Sequence, residues 1–93
     1  MTKKIKIALL GGGRIAGHHI KAIQAVREFR IVAICDLIET KRKYYGDKYK
    51  INTYDHYVEM LNQEKDVDAV VVMSPSGMHF EHSTKIIKKF KKH

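Results

Sequence analysis

The chain has 93 residues, of which 44% are hydrophobic and 30% charged, with a formal net charge of +8. This length allows one small domain, and the composition is ordinary for a folded globular protein, which excludes a disordered or fibrous chain. The longest apolar runs are too short to cross a bilayer, no signal-peptide pattern is visible and Cys35 is the single cysteine, so we expect a cytoplasmic protein without membrane contact or disulfides.

Strand and helix patterns alternate along the chain. An aliphatic run at residues 4–10 predicts a buried strand, and apolar residues at helical spacing predict a helix over residues 14–26. A second strand at residues 31–35 closes on Asp36, and residues 40–49 predict a surface helix. A weak third strand at residues 51–54, a short helix with Asp55 as its N-cap and an apolar fourth strand at residues 67–73 follow.

The chain after the fourth strand is predicted to break at Ser74-Pro75-Ser76-Gly77 and then to form a closing helix. The apolar face of that helix would consist of Ile86, Ile87 and Phe90. Strands that alternate with helices at this spacing are typical of parallel sheets covered on both faces. The sequence therefore predicts an α/β fold, a Rossmann-type doubly wound parallel sheet of about four strands, as one domain over residues 1–93.

A glycine-rich turn stands between the first predicted strand and the first predicted helix. Gly11, Gly13 and Ala16 fit the pattern G-x-G-x-x-G/A. In such a turn the first glycine permits a tight bend, the second lets the backbone approach a pyrophosphate, and the helix N-terminus offers free N–H groups to it. The pattern indicates a dinucleotide site, and the alternative is a glycine-rich turn with no ligand.

Asp36 ends the second strand about 20 residues beyond the glycine turn, where a carboxylate accepts hydrogen bonds from a ribose. A carboxylate there repels the extra phosphate of NADP, so NAD is the predicted cofactor. Lys41 and Arg42 lie nearby in sequence and leave NADP open. The alternative is a turn aspartate at the end of a strand.

Ser74, Pro75 and Ser76 follow the fourth strand, at the edge of the sheet where open α/β folds bind ligands. They are expected near the nicotinamide, although a plain turn with a serine N-cap is the alternative. His79 either faces this site or lies on the following helix. The adjacent His18 and His19 are expected to diverge around a helix, so no metal site is predicted.

The positive charge raises the alternative of a nucleic-acid binder. Much of it lies in residues 41–50 and in a closing lysine tract, where charged residues are interleaved with apolar helix positions. Charged stripes of this kind are typical of solvated faces of amphipathic helices, so we favour that interpretation and expect no nucleic-acid partner.

Together these residues resemble the Gfo/Idh/MocA family, named for glucose-fructose oxidoreductase, inositol dehydrogenase and a rhizopine-catabolism oxidoreductase. The resemblance is carried by residues 4–17 (KIKIALLGGGRIAG) with His19 and Ala22, by Asp36, by Tyr54-Asp55-His56-Tyr57 with Met60-Leu61, by residues 67–72, and by Ser74-Pro75-Ser76-Gly77-Met78-His79. The last stretch is similar to the family's T-P-N-x-x-H. Its serines resemble the branch that oxidises the 3-position of nucleotide-linked amino sugars or their uronic acids.

The resemblance implies an NAD(P)-dependent dehydrogenase that oxidises a hydroxyl of a sugar, sugar-nucleotide or polyol by hydride transfer. It assigns the dinucleotide to Gly11, Gly13, Arg14, Ile15 and Asp36, and the surroundings of the nicotinamide to Ser74, Pro75, Ser76 and His79. The family's Glu-Lys-Pro strand, its α+β substrate domain and its catalytic lysine and histidine have no counterpart in these 93 residues.

We therefore expect an incomplete Rossmann domain that is inactive alone and that binds a small sugar-type substrate only within a longer parent. A stand-alone nucleotide-binding or regulatory module is the alternative. Self-association is expected in either case, because an uncovered strand edge offers unpaired backbone groups to a second copy.

Overall fold

The computed structural model describes residues 4–74 and 77–82. Eight elements follow one another in chain order: β1 (Ile5–Leu10), α1 (Gly17–Gln24), β2 (Phe29–Cys35), α2 (Glu39–Tyr49), β3 (Asn52–Tyr54), α3 (Tyr57–Gln63), β4 (Ala69–Ser74) and β5 (Gly77–His82). The first seven alternate between strand and helix as the sequence predicts.

The five strands of the described residues belong to one sheet with the order β3-β2-β1-β4-β5. The pairs β2–β3, β1–β2 and β1–β4 are parallel. The predicted four-stranded parallel sheet is therefore confirmed. Between β1 and β2 the register shifts, since Ile7 pairs with Ile31 and Ala8 with Ala33, which leaves Val32 as the extra residue of a bulge.

Helices cover both faces of the sheet, as a doubly wound fold requires. On one face Ile20 and Ile23 of α1 and Tyr45 of α2 pack onto aliphatic side chains of the central strands. On the other face Met60 and Leu61 of α3 pack against a second cluster of buried residues. Because β1 and β2 are covered on both sides, they consist of nearly continuous aliphatic runs rather than alternating ones.

The structure corrects the prediction for the chain after β4. Gly77–His82 forms β5, antiparallel to β4, where the sequence predicts no strand. Without β5, the backbone N–H and C=O groups on the outer edge of β4 would have no partners in the sheet. The strand β5 supplies these partners. Ile86, Ile87 and Phe90, the residues of the predicted closing helix, lie outside the described residues.

Two helix starts also differ from the predictions. α1 begins at Gly17 and not at residue 14, because residues 11–16 form the glycine turn. The N-cap of α3 is His56 and not Asp55: Nδ1 of His56 accepts a hydrogen bond from the backbone N–H of Val58 at 3.3 Å. The imidazole takes the capping position that usually belongs to a short oxygen-bearing side chain.

Candidate functional site

The glycine turn leads directly from β1 into α1. The backbone N–H of Gly11 donates to the carbonyl oxygen of Cys35 at 2.9 Å, which ties the turn to the end of β2, and the N–H of Arg14 donates to the carbonyl of Gly11 at 3.0 Å. A Cβ atom on Gly11 would overlap the side chain of Ile15 and lie 3.0 Å from its backbone nitrogen. Gly11 is therefore required for the close packing of Ile15 against the start of the turn.

Gly13 has a backbone conformation that side-chain-bearing residues rarely adopt, with φ at +95°. A Cβ atom placed on it would lie 3.6 Å from Cδ1 of Ile38 and 4.0 Å from Oδ1 of Asp36. The missing side chain thus leaves bare backbone beside the end of β2. This is the property that the sequence pattern assigns to the second glycine of a phosphate-binding turn.

The N-terminus of α1 is suited to an anion. Its N-cap, Ala16, has an extended backbone and makes no side-chain capping bond. The first turn of α1, which lies within the described residues, contains no acidic residue. Helix geometry leaves the first N–H groups without partners inside the helix. These groups, with the positive end of the helix dipole, are donors of the kind that binds an anion, and they lie next to the glycine turn.

Arg14 and Ile15 occupy opposite environments in the turn. Arg14 is exposed, whereas Ile15 is fully buried and belongs to the core cluster on the α1 side of the sheet. The side chain of Ile15 therefore anchors the turn to the hydrophobic core. A contact between Ile15 and a ligand in the turn would have to involve its backbone.

Asp36 follows β2 and has 0% of its surface exposed. Its Oδ1 accepts a hydrogen bond from the backbone N–H of Ile38 at 2.9 Å. Its Oδ2 is buried and has no hydrogen-bond partner among residues 4–74 and 77–82. An unpaired buried carboxylate oxygen is costly, by about 1 to 3 kcal/mol or more, and a ribose hydroxyl is a donor of the kind that this oxygen lacks. The residues present therefore fit a dinucleotide.

The two basic residues near Asp36 bond to backbone carbonyls. Nζ of Lys41 donates to the carbonyl oxygens of Gly13 at 3.1 Å and Ile15 at 3.0 Å. Nη1 of Arg42 donates to the carbonyl oxygen of Asp36 itself at 2.8 Å. These contacts use both cations to hold the main chain, which favours NAD over NADP at this position. Sequence reasoning gave neither residue this role.

Exposed apolar side chains border the carboxylate. Leu37 is 69% exposed and Ile38 is 42% exposed, although both follow a buried strand. Cys35, the residue before Asp36, is 4% exposed and packs in the core on the α3 side. Burial, and next the charge of Asp36, raise the pKa of the Cys35 thiol to about 11. Cys35 is therefore a neutral packing residue at neutral pH.

The remaining candidates lie around the end of β4. Ser74 is the last residue of β4 and pairs with Gly77 of β5, at the same sheet edge as the glycine turn because β1 and β4 are parallel. Pro75 and Ser76 lie outside the described residues. His79 lies in β5 opposite Val72, and not on a helix, because the backbone of β5 pairs with the edge of β4.

The adjacent histidines do not diverge as expected. The ring centroids of His18 and His19 lie 4.0 Å apart and are tilted by 46°. Both residues belong to the first turn of α1, where no preceding helical turn restricts the side-chain rotamers. No group of three or more potential metal ligands is found in the part of the chain that the structure describes. Within that part, no helix has the length and hydrophobicity that crossing a membrane requires.

Known proteins resemble this chain. A family model described as the oxidoreductase family, NAD-binding Rossmann fold (GFO_IDH_MocA), matches residues 5–93. The uncharacterized oxidoreductase YrbE of Bacillus subtilis (strain 168) is 30% identical over 79 residues, which cover 85% of this chain and 23% of that protein. The inositol 2-dehydrogenase of Salmonella typhimurium (strain LT2) is 28% identical over 78 residues, which cover 81% of this chain and 23% of that enzyme.

A solved structure shows the same likeness. The WlbA dehydrogenase from Bordetella pertussis, crystallised in complex with NADH and UDP-GlcNAcA, matches with a TM-score of 0.67 and 32% identity. The match covers 80% of this chain and 23% of that one. The chain thus spans less than a quarter of the length of each of these three proteins.

The sheet order and the glycine turn between β1 and α1 define the class of the protein, a Rossmann-type nucleotide-binding domain. The family match extends over nearly the whole chain. The chain belongs to the Gfo/Idh/MocA oxidoreductase family, and it forms the NAD-binding Rossmann domain of that family.

Proposed function

We propose that this chain binds NAD with its pyrophosphate on the glycine turn and its adenosine ribose on Asp36. The observation that carries the proposal is Oδ2 of Asp36, a fully buried carboxylate oxygen without a hydrogen-bond partner in residues 4–74 and 77–82. The bare backbone at Gly13 and the uncapped N-terminus of α1 support it, because both lie where a phosphate would follow the ribose.

The residues of the site have different roles in this proposal. Gly11 shapes the turn, Gly13 gives access to its backbone, and Ile15 supports it from the core, while exposed Arg14 lies beside the phosphates. Leu37 and Ile38 offer apolar surface to the adenine ring.

We assign Ser74, Pro75, Ser76 and His79 to the nicotinamide side, where Ser74 ends β4 at the shared sheet edge.

We propose a dehydrogenase of sugar-type hydroxyls as the activity of the longer protein. The bound nicotinamide would accept the hydride, and this domain would hold it in place. Nucleotide-linked sugars are our preferred substrate class, supported by the 32% identity to WlbA from Bordetella pertussis, whose structure contains UDP-GlcNAcA. Free polyols are the second candidate, supported by the 28% identity to the inositol 2-dehydrogenase of Salmonella typhimurium.

We expect the 93 residues alone to bind the cofactor without turning over a substrate. Hydride transfer requires a substrate carbon held against the nicotinamide and a base that takes the hydroxyl proton. The family resemblance assigns both tasks to residues beyond those in this chain, and the match covers 23% of the Salmonella enzyme. NADH binding without turnover would also fit a stand-alone regulatory module, which a search for longer forms in the source organism would distinguish.

Calorimetric titration with NADH and NADPH tests the proposed site. Asp36→Asn keeps the shape of the side chain and an acceptor for the N–H of Ile38 but removes the charge. We expect NADH to bind the unaltered chain and its Kd to rise about 10-fold or more in this variant, since hydrogen bonds to charged groups contribute about 1.5 to 3 kcal/mol. The matched control is Asp47→Asn, an exposed carboxylate on α2, with an unchanged Kd.

Two outcomes would contradict the site, and a third the choice of cofactor. Absence of NADH binding by the unaltered folded chain would refute binding by these residues alone. Equal effects of the two substitutions would mean that Asp36 acts only through net charge. Tighter binding of NADPH than of NADH would refute the cofactor preference.

We also propose a cytoplasmic location and self-association. The reduced, buried Cys35 is compatible with a reducing compartment. In the described part of the sheet β3 and β5 are the outer strands and each pairs on one side, which leaves backbone groups for a second copy. Light scattering coupled to size exclusion would detect a dimer, and a monomer at high concentration would contradict this proposal.

A further inference from the structure

Lys41 connects α2 to the glycine turn. It lies in the first half of α2, is half-buried, and reaches back 28 residues in sequence to the carbonyl oxygen of Gly13 and 26 residues to that of Ile15. The two distances, 3.1 and 3.0 Å, are those of good hydrogen bonds, and the donor is charged. One ammonium group thus holds the two carbonyls on either side of Arg14.

These bonds fix the direction of the neighbouring N–H groups. In a trans peptide the N–H points away from the C=O of the same unit, so a carbonyl held by Lys41 turns the next N–H to the opposite side. For the carbonyl of Ile15 that N–H belongs to Ala16, the N-cap of α1. For the carbonyl of Gly13 it belongs to Arg14, whose N–H closes the turn onto Gly11.

The turn needs such a constraint. Gly12 and Gly13 both have positive φ angles, and glycine loses more conformational freedom on ordering than any other residue. A ligand that had to order this segment on binding would bind more weakly, by the free energy that the ordering costs. An ammonium group that orders the turn beforehand removes that loss and adds positive charge behind the phosphate position.

We propose that Lys41 is a positioning residue that pre-organises the phosphate-binding turn for NAD. The inference rests on the proposed function and assigns to Lys41 the phosphate half of the site, while Asp36 binds the ribose half. Because α2 begins three residues after Asp36, one helix links both halves. Lys41 therefore affects ligands that carry phosphates and not ligands that carry adenosine alone.

The test compares three variants of the full chain. Lys41→Met keeps the length of the stem and removes the ammonium, Lys41→Arg keeps a charged donor, and Lys43→Met removes an exposed lysine from the same helix as a matched control. NADH and ADP-ribose are titrated by calorimetry and adenosine by ligand-observed NMR. Amide hydrogen exchange of residues 12–16 is measured without ligand.

We expect Lys41→Met to raise the Kd for NADH and ADP-ribose about 10-fold, the loss of roughly one charge-assisted interaction, with the Kd for adenosine unchanged. Lys41→Arg should recover most of this loss, and Lys43→Met should leave the Kd within about twofold because exposed charges are screened. In the free chain, Lys41→Met should accelerate exchange in residues 12–16 and leave the core strands unchanged.

Several results would overturn the inference. Equal effects of Lys41→Met and Lys43→Met would reduce the role of Lys41 to net charge. A parallel loss of adenosine affinity, with faster exchange throughout the sheet, would make Lys41 a general stability residue. If the unaltered chain binds no NADH, the proposed function fails and the cofactor role of Lys41 with it, while the exchange data still show whether Lys41 orders the turn.

Discussion

Gly13 and Asp36 adjoin each other at the carboxyl edge of the sheet: a methyl group on Gly13 would stand 4.0 Å from Oδ1 of Asp36. The turn after β1 and the end of β2 therefore form one continuous surface. Anything added at Gly13 enters that surface, whereas the neighbouring Gly12 has no atom within 4 Å of its Cβ position.

This difference predicts unequal effects of two matched substitutions. Gly13→Ala should raise the Kd for NADH about 10-fold or more, because the added methyl group would stand between the backbone of the turn and the pyrophosphate. Gly12→Ala should leave the Kd within about threefold, although its positive φ costs roughly 1 kcal/mol of stability. Calorimetry at a temperature where both variants are folded measures the contrast, and equal losses of affinity would contradict it.

Gly46 and Thr53 are so close that substitutions at the two positions should have coupled effects on stability. Alanine at Gly46, inside α2, would place its methyl 2.7 Å from Cγ2 of the exposed Thr53. Gly46→Ala alone should therefore lower the free energy of unfolding by about 1 kcal/mol or more, through overpacking. With Thr53→Ser, which removes that methyl, the same change should raise stability by roughly 0.5 to 1 kcal/mol, the helix preference of alanine over glycine.

Urea unfolding of the four proteins in this cycle measures the coupling. Additive effects of the two substitutions would show that the contact relaxes without cost.

Tyr54 donates its hydroxyl to Oε2 of Glu64 at 2.6 Å. Tyr54→Phe should lower the free energy of unfolding at neutral pH by about 1 to 2 kcal/mol, because the acceptor is a carboxylate. Asn52 donates to the same oxygen at 2.7 Å and keeps it partly satisfied in the variant.

The same residue predicts a pH dependence. Burial, and next the hydrogen bond to Glu64, raise the pKa of Tyr54 from 10.0 to about 12. The unfolded phenol ionises first, so this stability is present below a pH of about 10 and is lost as the pH rises through 12. The difference between Tyr54→Phe and the unaltered chain should narrow from neutral pH to near pH 11. A constant difference would contradict the assigned cause.

Cys35 offers a readout of cofactor binding. It is 4% exposed and its thiol pKa is about 11, so the folded chain should react with an aromatic disulfide reagent only through opening. NADH at a concentration about 10 times its Kd should slow the reaction about 10-fold. Labelling detected by absorbance checks this, and labelling as fast as that of a free thiol would refute burial.

The four parallel strands and the three helices of the described residues are predictable because each carries its pattern within a short window. The aliphatic runs of β1 and β4 and the glycines between β1 and α1 are local signals. The sequence also predicts a site role for Asp36 from its distance to the glycine turn. Periodicity and turn chemistry were therefore sufficient to predict these elements, although not the residues at which α1 and α3 begin.

The rest leaves no comparable pattern within a short window of the sequence. Lys41 bonds to residues 26 and 28 positions away, and no periodic pattern distinguishes it from the solvated lysines of α2. β5 depends on the free edge of β4, which exists only after the sheet has formed. His56 caps α3 with an imidazole nitrogen, an uncommon choice for which the neighbouring aspartate is the better sequence signal.

The pairing of β5 with β4 has a consequence for any longer protein that contains this chain. In the usual doubly wound order the strand next to β4 is the following parallel strand. The outer edge of β4 can pair with one strand at a time, and residues 77–82 already pair with it. A later strand must therefore compete with β5 for the same backbone groups, and its arrival would release the segment that carries His79.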